Sequence, residues 1–545
     1  MKKFKFLSLA LAALALGACS SSDDVAEGGG NESNTSYVAV NIMSVGGTTR
    51  AADYENGLGV ENAIDAADLA FYFFDASGQP YQMTKAGGTT NKVVPTTITW
   101  NDQTTGGNTT RISDAILVLN GTTKTKPYSV VVVANTTIGE DLISLSDLRA
   151  KVDEYASTDK FVMSSSVYKS VCETPVGEFI KNNETDATNN PVDLFIERVS
   201  AKVVATIPVG SGSDWSWDGS NYKIKVGTTT TTGKDVYAVV KGWGVADSKK
   251  YSYLFKQVTD SWDEATIGLA WNDAANHRSY WATTYSGVSS PAQEVVNQSY
   301  NDYATKNTWG DTNPLYPREN TPTTTVSDLY NGNSLSKILL VAELQDGSGT
   351  PIEYCTYRGI EYLGEDEVKK QIAGEWASKY YYEASSGVYA SIRPEDIIFK
   401  TTDDFGSDPL PTKLDKRYKV VAQLASTAPQ FYTESGGTYT AVANDDVNNN
   451  LADEAALVRK GGAAYYYAPI KHLGTTDKVT EYGVVRNHVY KIDITDMKGF
   501  GTPVYDPDEK IIPETPDDTP AYLAAKINVL SWKIVSQSVS LDKTK

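Results

Sequence analysis

Few residues in this chain have the type and spacing to do chemistry, and the most specific of them is a cysteine. Cys19 follows Leu16-Gly17-Ala18, an apolar run over residues 6–16, and Lys2, Lys3 and Lys5. Basic residues, a short apolar stretch and small residues before a cut make a secretion signal. The run is too short to cross a bilayer, which takes about 20 apolar residues. A cysteine directly after Leu-Gly-Ala is the lipobox pattern. It predicts cleavage before Cys19 and acylation of the thiol, where the plainer reading is an ordinary signal peptide with an accidental cysteine. The second chemical feature is Arg50-Ala51, inside a glycine- and threonine-rich loop over residues 46–52. One arginine followed by small residues in an exposed-looking loop is a natural protease target.

The remaining clusters carry less. His277, His472 and His488 stand at no metal-ligand spacing. Cys172 and Cys355 could pair in an exported protein, but one pair is no disulfide framework, and two buried free thiols fit better. Asp446-x-Asn448-x-Asn450 resembles the start of a calcium loop. Leu451 stands where the turn glycine belongs and Leu457 where the bidentate glutamate belongs, so a solvated Asn/Asp turn is expected. The carboxylates stand in no defined scaffold, and there is no Gly-x-Ser-x-Gly elbow or Walker loop. The expectation is no catalytic residue, no metal and no cofactor. Tyr380-Tyr381-Tyr382, Tyr465-Tyr466-Tyr467, Trp215 with Trp217, and Trp262 with Trp271 could stack on sugars. Strand residues shared between core and surface are the favoured reading, given the strand preference of aromatic residues. Arg486 and His488 read as structural residues at the start of a strand.

The elements that must position these residues are mostly strands. Tyrosine (34 residues) and threonine are abundant in the 545-residue chain, and helical stretches are few. The length exceeds one typical core, so two or more domains are expected. A net charge of −19 argues against nucleic acid, whose phosphates need a basic surface. Residues 20–36 form a polar, glycine-rich tether. Over 37–43, Val38, Val40 and Ile42 share one face, as a half-buried strand requires. Further strands are predicted over 69–74, 116–119 and 130–134, with a short helix near 142–152. A polar stretch over 182–191 marks a domain boundary. Beyond it, strands are predicted over 193–208, 237–243, 338–342, 418–423, 463–469 and 489–494. Short strands with turn signals predict sandwiches rather than βαβ units. Prolines 507, 513, 516 and 520 make 506–520 an extended spacer that could reach roughly 45 Å at about 3.1 Å per residue. The apolar strand pattern that follows, over 521–541, needs a groove in its own domain or in a neighbour, since left exposed it is an aggregation hazard.

Taken in order, several segments resemble a known family. They are the lipobox at Cys19, the strand before Arg50-Ala51, Phe161-Val162-Met163-Ser164, Glu197-Arg198 to Lys202-Val203, and Tyr465–Tyr467. The strongest is Val484-Val485-Arg486-Asn487-His488-Val489-Tyr490-Lys491-Ile492, followed by Pro507-Asp508 and Asn528-Val529-Leu530-Ser531-Trp532-Lys533-Ile534. The chain resembles the fimbrillins of Bacteroidetes type V pili, especially the major subunit of short, Mfa-type fimbriae. The resemblance implies two transthyretin-like β-sandwich domains in tandem and a C-terminal donor strand segment. It also implies export as an outer-membrane lipoprotein, a cut by an arginine-specific protease, and a vacated groove that accepts a strand from another subunit.

Carried onto this chain, residues 1–18 are the signal peptide, and 19–50 a propeptide with the lipid on Cys19 and the removable strand at Val38, Val40 and Ile42. Residues 51–192 and 193–505 are the two domains, 506–520 the spacer and 521–545 the donor segment. The cut falls between Arg50 and Ala51. On the donor, Ile527 and Val529 share one face and Leu530 and Trp532 the other, with Ile534 beyond; which face inserts stays open. Burying four large apolar side chains is worth roughly 6–12 kcal/mol before ordering costs. The implied partners are identical subunits in a head-to-tail polymer at the cell surface, accessory anchor and tip pilins, and host or bacterial receptors, supporting adhesion and biofilm formation. The alternative is an accessory or tip adhesin, or a surface glycan-binding lipoprotein.

Overall fold

The computed structural model describes residues 34–44, 64, 66–105, 108–154, 161–167, 171–229, 232–259, 262, 281–287, 295–310, 312–322, 335–414, 418–472, 478–513 and 522–531. Cys19, Arg50, Ala51, Trp532 and Ile534 lie outside these residues. The fold is mostly β. Among the described residues, no helix is long and apolar enough to cross a membrane.

The N-terminal body is built on one large sheet. Its main strands are β1 (Thr35–Ser44), β2 (Leu69–Phe74), β3 (Asn108–Asn120), β4 (Ser129–Ala134), β5 (Met163–Ser165) and β6 (Val192–Arg198). The spatial order is Lys92–Val93, β2, β4, β5, β6, β1, β3, Thr99–Thr105. The sequences of β2 (Leu-Ala-Phe-Tyr-Phe-Phe) and β4 (Ser-Val-Val-Val-Val-Ala) are buried at every position. Such continuous apolar runs suit strands covered on both faces. Phe71, Phe73, Val130 and Val132 face one core, and Tyr72, Phe74, Val131 and Val133 another. That second core also takes in Val199, Leu254 and Phe255, so segments beyond β6 cover the outer face of the sheet. The helix predicted near 142–152 is a single turn or so, Leu145–Arg149, with the Ser144 side chain accepting from the Asp147 amide at its start. Residues 193–198, expected to open the second domain, run in β6 and therefore in the N-terminal sheet.

The chain then crosses at 199–201 into β7 (Lys202–Thr206), β8 (Asp235–Ala246) and β9 (Lys337–Gln345). Gly242 and Gly244 of β8 lie under the helix Tyr300–Ala304. A Cβ at Gly242 would stand 2.0 Å from the Tyr303 carbonyl oxygen and one at Gly244 2.3 Å from its ring, so the close approach requires glycine.

Between β9 and the next strand of this body, residues 346–459 form an insertion with its own core. One of its sheets runs Ile360–Leu363, Tyr354–Tyr357, Ala455–Arg459, Val420–Leu424 and Ile397–Lys400. The other joins two hairpins, β10 (Tyr381–Ser385) with β11 (Val388–Ser391) and β12 (Phe431–Ser435) with β13 (Thr438–Val442), in the order β11, β10, β12, β13. Helices Glu365–Trp376 and Asn444–Leu451 bury Val368, Ile372, Val447 and Leu451 in the same core. The expectation of a single sandwich across 193–505 misses this unit. Its strands are only four or five residues long, too short for apolar alternation to mark a separate core.

The body resumes with β14 (Ala463–Pro469) and β15 (His488–Lys498), and β16 (Tyr522–Ser531) is the last described element. One sheet orders Ser216–Trp217, Tyr222–Thr228, β8, β9, β14 and Thr502–Pro503; the opposing one orders β7, β15, β16. Between them lie Trp243, Leu340, Tyr466, Tyr490 and Ile492. The spacer is anchored along its first half. Pro507 accepts from the Asn301 amide, the Ile511 amide donates to Gln298, and Ile511 is buried.

Candidate functional site

Two strands near the ends of the chain have unequal attachments. β1 lies inside its sheet. It runs antiparallel to β3 from Thr35 opposite Asn120 to Met43 opposite Ile112, and parallel to β6 from Val40 opposite Val192 to Ser44 opposite Ile196. Val38, Val40 and Ile42 are fully buried in the N-terminal core beside Leu117, Leu119 and Leu194. The alternation read in the sequence is therefore a core-facing stripe. Hydrogen bonds also tie the strand: Asn41 donates its side-chain amide to Asp193 at 3.0 Å, and Tyr37 exchanges both backbone bonds with Lys181.

β16 is held less. Within its sheet it pairs with β15 alone, from Ser531 opposite His488 to Tyr522 opposite Lys498, with a bulge between Ile494 and Asp496. The backbone register sets Ile527 opposite Ile492 and Val529 opposite Tyr490, two residues of the C-terminal core; Leu530 stands opposite Val489. Trp532 and Ile534, also expected on this strand, lie outside the described residues.

The two bodies share a topology. In each, the first strand runs parallel beside a late one: β1 beside β6, and β7 beside β15. The antiparallel neighbour on the other side of that late strand is β5 in the first body and β16 in the second.

Between the bodies lies a buried ionic cluster that links distant segments. The Arg486 guanidinium donates to Glu319 at 2.9 Å, to the Leu254 carbonyl at 3.0 Å and to Ser252 at 2.9 Å. Arg486 and Glu319 are both excluded from solvent. Lys256 donates to Glu197 of β6 at 3.0 Å, again with both side chains fully buried. Burial pushes the Lys256 ammonium below its usual pKa, and the carboxylates of Glu197 and Glu319 oppose that shift. Arg318 bonds Ser200 at 2.9 Å and pairs with Asp153. Asn487 sits in the left-handed region (φ 57°), which asparagine tolerates, and its amide donates to the Ser200 carbonyl. The Glu197-Arg198 and Arg486-Asn487-His488 motifs thus meet here as one structural junction. Sequence reasoning missed Lys256, Arg318 and Glu319, since their partners are far away in the chain and carry no local spacing signal.

The other candidates are structural. Asp446, Asn448 and Asn450 lie on the helix Asn444–Leu451 rather than in a turn. Asn448 accepts from the Leu424 amide and Asn450 donates to the Tyr380 hydroxyl. Among the described residues, no group of three His, Cys, Asp or Glu side chains is placed to hold a metal ion. Cys172 and Cys355 are free and buried, and burial pushes both thiols up to about 12. His472 shares a 2.9 Å hydrogen bond with the Tyr490 hydroxyl, and His488 one of 2.8 Å with the Arg486 carbonyl. Tyr380 stacks on Trp376 in the insertion's core, and Tyr466 is buried in the C-terminal core between half-buried Tyr465 and Tyr467. Trp215 is buried and Trp217 exposed. Trp262 packs beside Trp281, while Trp271 lies outside the described residues.

Residues 459–538 match a family described as the major fimbrial subunit protein type IV, fimbrillin, C-terminal. The match spans β14, β15 and β16, and it is the family group read from the sequence. No curated protein matches the chain. Two solved structures are distantly similar. One is a fimbrilin (fimA) from Porphyromonas gingivalis W83, at 13% identity and a TM-score of 0.35, covering 92% of this chain and 98% of that one. The other is the tip fimbrial protein Mfa3 from Porphyromonas gingivalis with a C-terminal truncation, at 12% identity and a TM-score of 0.30, covering 91% and 100%.

Proposed function

We propose that this chain is a fimbrillin-type structural subunit, the shaft subunit of a cell-surface fimbria. It is exported as a lipoprotein acylated on Cys19, cut between Arg50 and Ala51 by an arginine-specific protease, and polymerised head to tail by strand exchange. Accessory anchor and tip pilins complete the fimbria, which supports adhesion and biofilm formation. The observation that carries this reading is the position of β1. A first strand held between two others, with its apolar stripe in the core, leaves a slot when it departs. The slot's walls, β3 and β6, then present unpaired backbone donors and acceptors beside an apolar floor. A strand supplied by another chain satisfies both needs, by β-augmentation. β16 fits the donor role: it follows a proline-rich spacer, alternates in polarity and pairs with one neighbour only. In this reading the face bearing Ile527 and Val529 enters the slot, since those positions stand opposite core residues when the strand rests on its own body. A slot at one end and a strand at the other give a heterologous contact that repeats into a filament.

Arg50→Ala tests the reading. The variant is expected to accumulate as an uncut monomer in cells that otherwise assemble fibres. Polymer ladders of normal length from Arg50→Ala would refute the processing step.

A further inference from the structure

The insertion carries an aromatic surface that its own core does not use. In an antiparallel pair, directly opposed residues share a face. Tyr381 of β10 opposes Tyr432 of β12, Glu383 opposes Tyr389 of β11, and Glu434 opposes Tyr439 of β13. Each of the four strands therefore places one tyrosine on the same face, with Glu383 and Glu434 beside them. The opposite face, with Tyr382 and Phe431, packs on the insertion's core. The four outer tyrosines are half-buried and the two glutamates exposed. Tyr389 and Tyr439 reach in from the two edge strands and stack at 3.8 Å. Tyr439 meets Tyr381 edge-on at 5.3 Å, and Tyr389 meets Tyr432 at 5.1 Å.

The charge around these rings is one-sided. Elsewhere in the insertion the chain sets its own cations over its rings: Lys379 over Trp376 at 4.2 Å, Arg393 over Tyr382 at 4.5 Å, and Arg358 over Tyr357 at 5.2 Å. Among the described residues, no cation lies over any of the four outer rings. Each flanking glutamate uses one oxygen to accept a turn amide, Glu383 from Gly387 at 2.7 Å and Glu434 from Gly437 at 2.6 Å. The other oxygen of each is left to solvent. The Tyr389 hydroxyl is raised above its ordinary pKa by local desolvation, with Glu383 adding to the shift, as a negative neighbourhood does. The rings stack on one another instead of lying flat. The face consequently offers ring edges, phenol oxygens and carboxylates rather than a platform for a sugar ring.

We propose that this four-tyrosine face docks a basic segment of a partner polypeptide, with lysine or arginine side chains between Glu383 and Glu434 against Tyr389 and Tyr439. Ammonium and guanidinium groups are pure donors, and the Glu383 and Glu434 carboxylates and the phenol oxygens beside them can accept. The site lies in a different sheet from β1 and β16.

Fluorescence anisotropy with the purified full-length chain and a labelled 12-residue Arg-Gly repeat peptide tests this. Glu383→Gln with Glu434→Gln keeps every ring and is expected to weaken binding at least tenfold. Asp403→Asn with Asp408→Asn removes the same charge from exposed positions off this face and is expected to change it less than twofold. Tyr389→Ala with Tyr439→Ala is expected to match the glutamate pair; if that variant loosens the hairpins, the glutamate pair still decides. Equal losses in the glutamate and Asp403/Asp408 pairs would mean diffuse attraction to an acidic protein and overturn the proposal. So would no peptide binding, or chito-oligosaccharide binding that Tyr389→Ala/Tyr439→Ala abolishes while peptide binding persists.

Discussion

Weakening β1 without removing it should convert a retained strand into a departing one. Val40 and Ile42 are 1% and 0% exposed and both belong to the N-terminal core. Val40→Ala with Ile42→Ala deletes five buried methyl or methylene groups, worth about 0.8 kcal/mol each, or roughly 4 kcal/mol. Unfilled space adds to this, because a packed interior relaxes only in part. At about 1.4 kcal/mol per tenfold, the cut strand should be held at least a thousandfold more weakly. Most of that should appear as faster release. The backbone ladders to β3 and β6 are untouched, so the uncut precursor, in which the strand is tethered, should still fold. The assay cuts purified precursor at Arg50 with a limiting dose of trypsin. It then follows the N-terminal fragment by size exclusion and mass spectrometry. Wild-type fragment should co-elute with the body for far longer than the variant fragment, and variant chains should polymerise sooner. Equal retention of the two fragments would refute the idea that these side chains hold β1 in its slot.

Two other outcomes follow from the same geometry. Arg486→Met leaves Glu319 buried without its guanidinium and should cost about 3–5 kcal/mol in urea unfolding, of which Glu319→Gln in the same chain restores part; a cost below about 1 kcal/mol would mean that the junction is not the ion pair it resembles. Deleting residues 521–545 removes one edge strand and should leave a soluble, folded chain by circular dichroism that no longer forms fibres; fibres of normal length from the truncated chain would exclude β16 as the donor.

Strands with a strong local signature are legible in the sequence. The uninterrupted Leu69–Phe74 run, the Val38-Val40-Ile42 alternation and Ala463–Pro469 all lie in strands, because burial on one or two faces writes itself into neighbouring residues. What stays hidden depends on distant partners. Nothing near Lys256 announces Glu197, and nothing near Arg486 announces Glu319; the chain brings each pair together only by folding the second body against the first. The triplet Tyr380-Tyr381-Tyr382 was visible, but its division was not. Tyr380 and Tyr382 join the insertion's core while Tyr381 faces outward, and the other outward rings come from residues 389, 432 and 439. The crossing between the bodies, expected after residue 192, lies at 199–201, since β6 is apolar enough to suit either body.

In the proposed assembly β1 is a temporary occupant, removed with the lipid before its slot accepts a strand from another subunit. N-terminal sequencing of chains in fibres sheared from cells tests it most directly. The expected result is a start at Ala51, with no lipid and no trace of residues 19–50. Assembled chains that begin at an acylated Cys19 would contradict it.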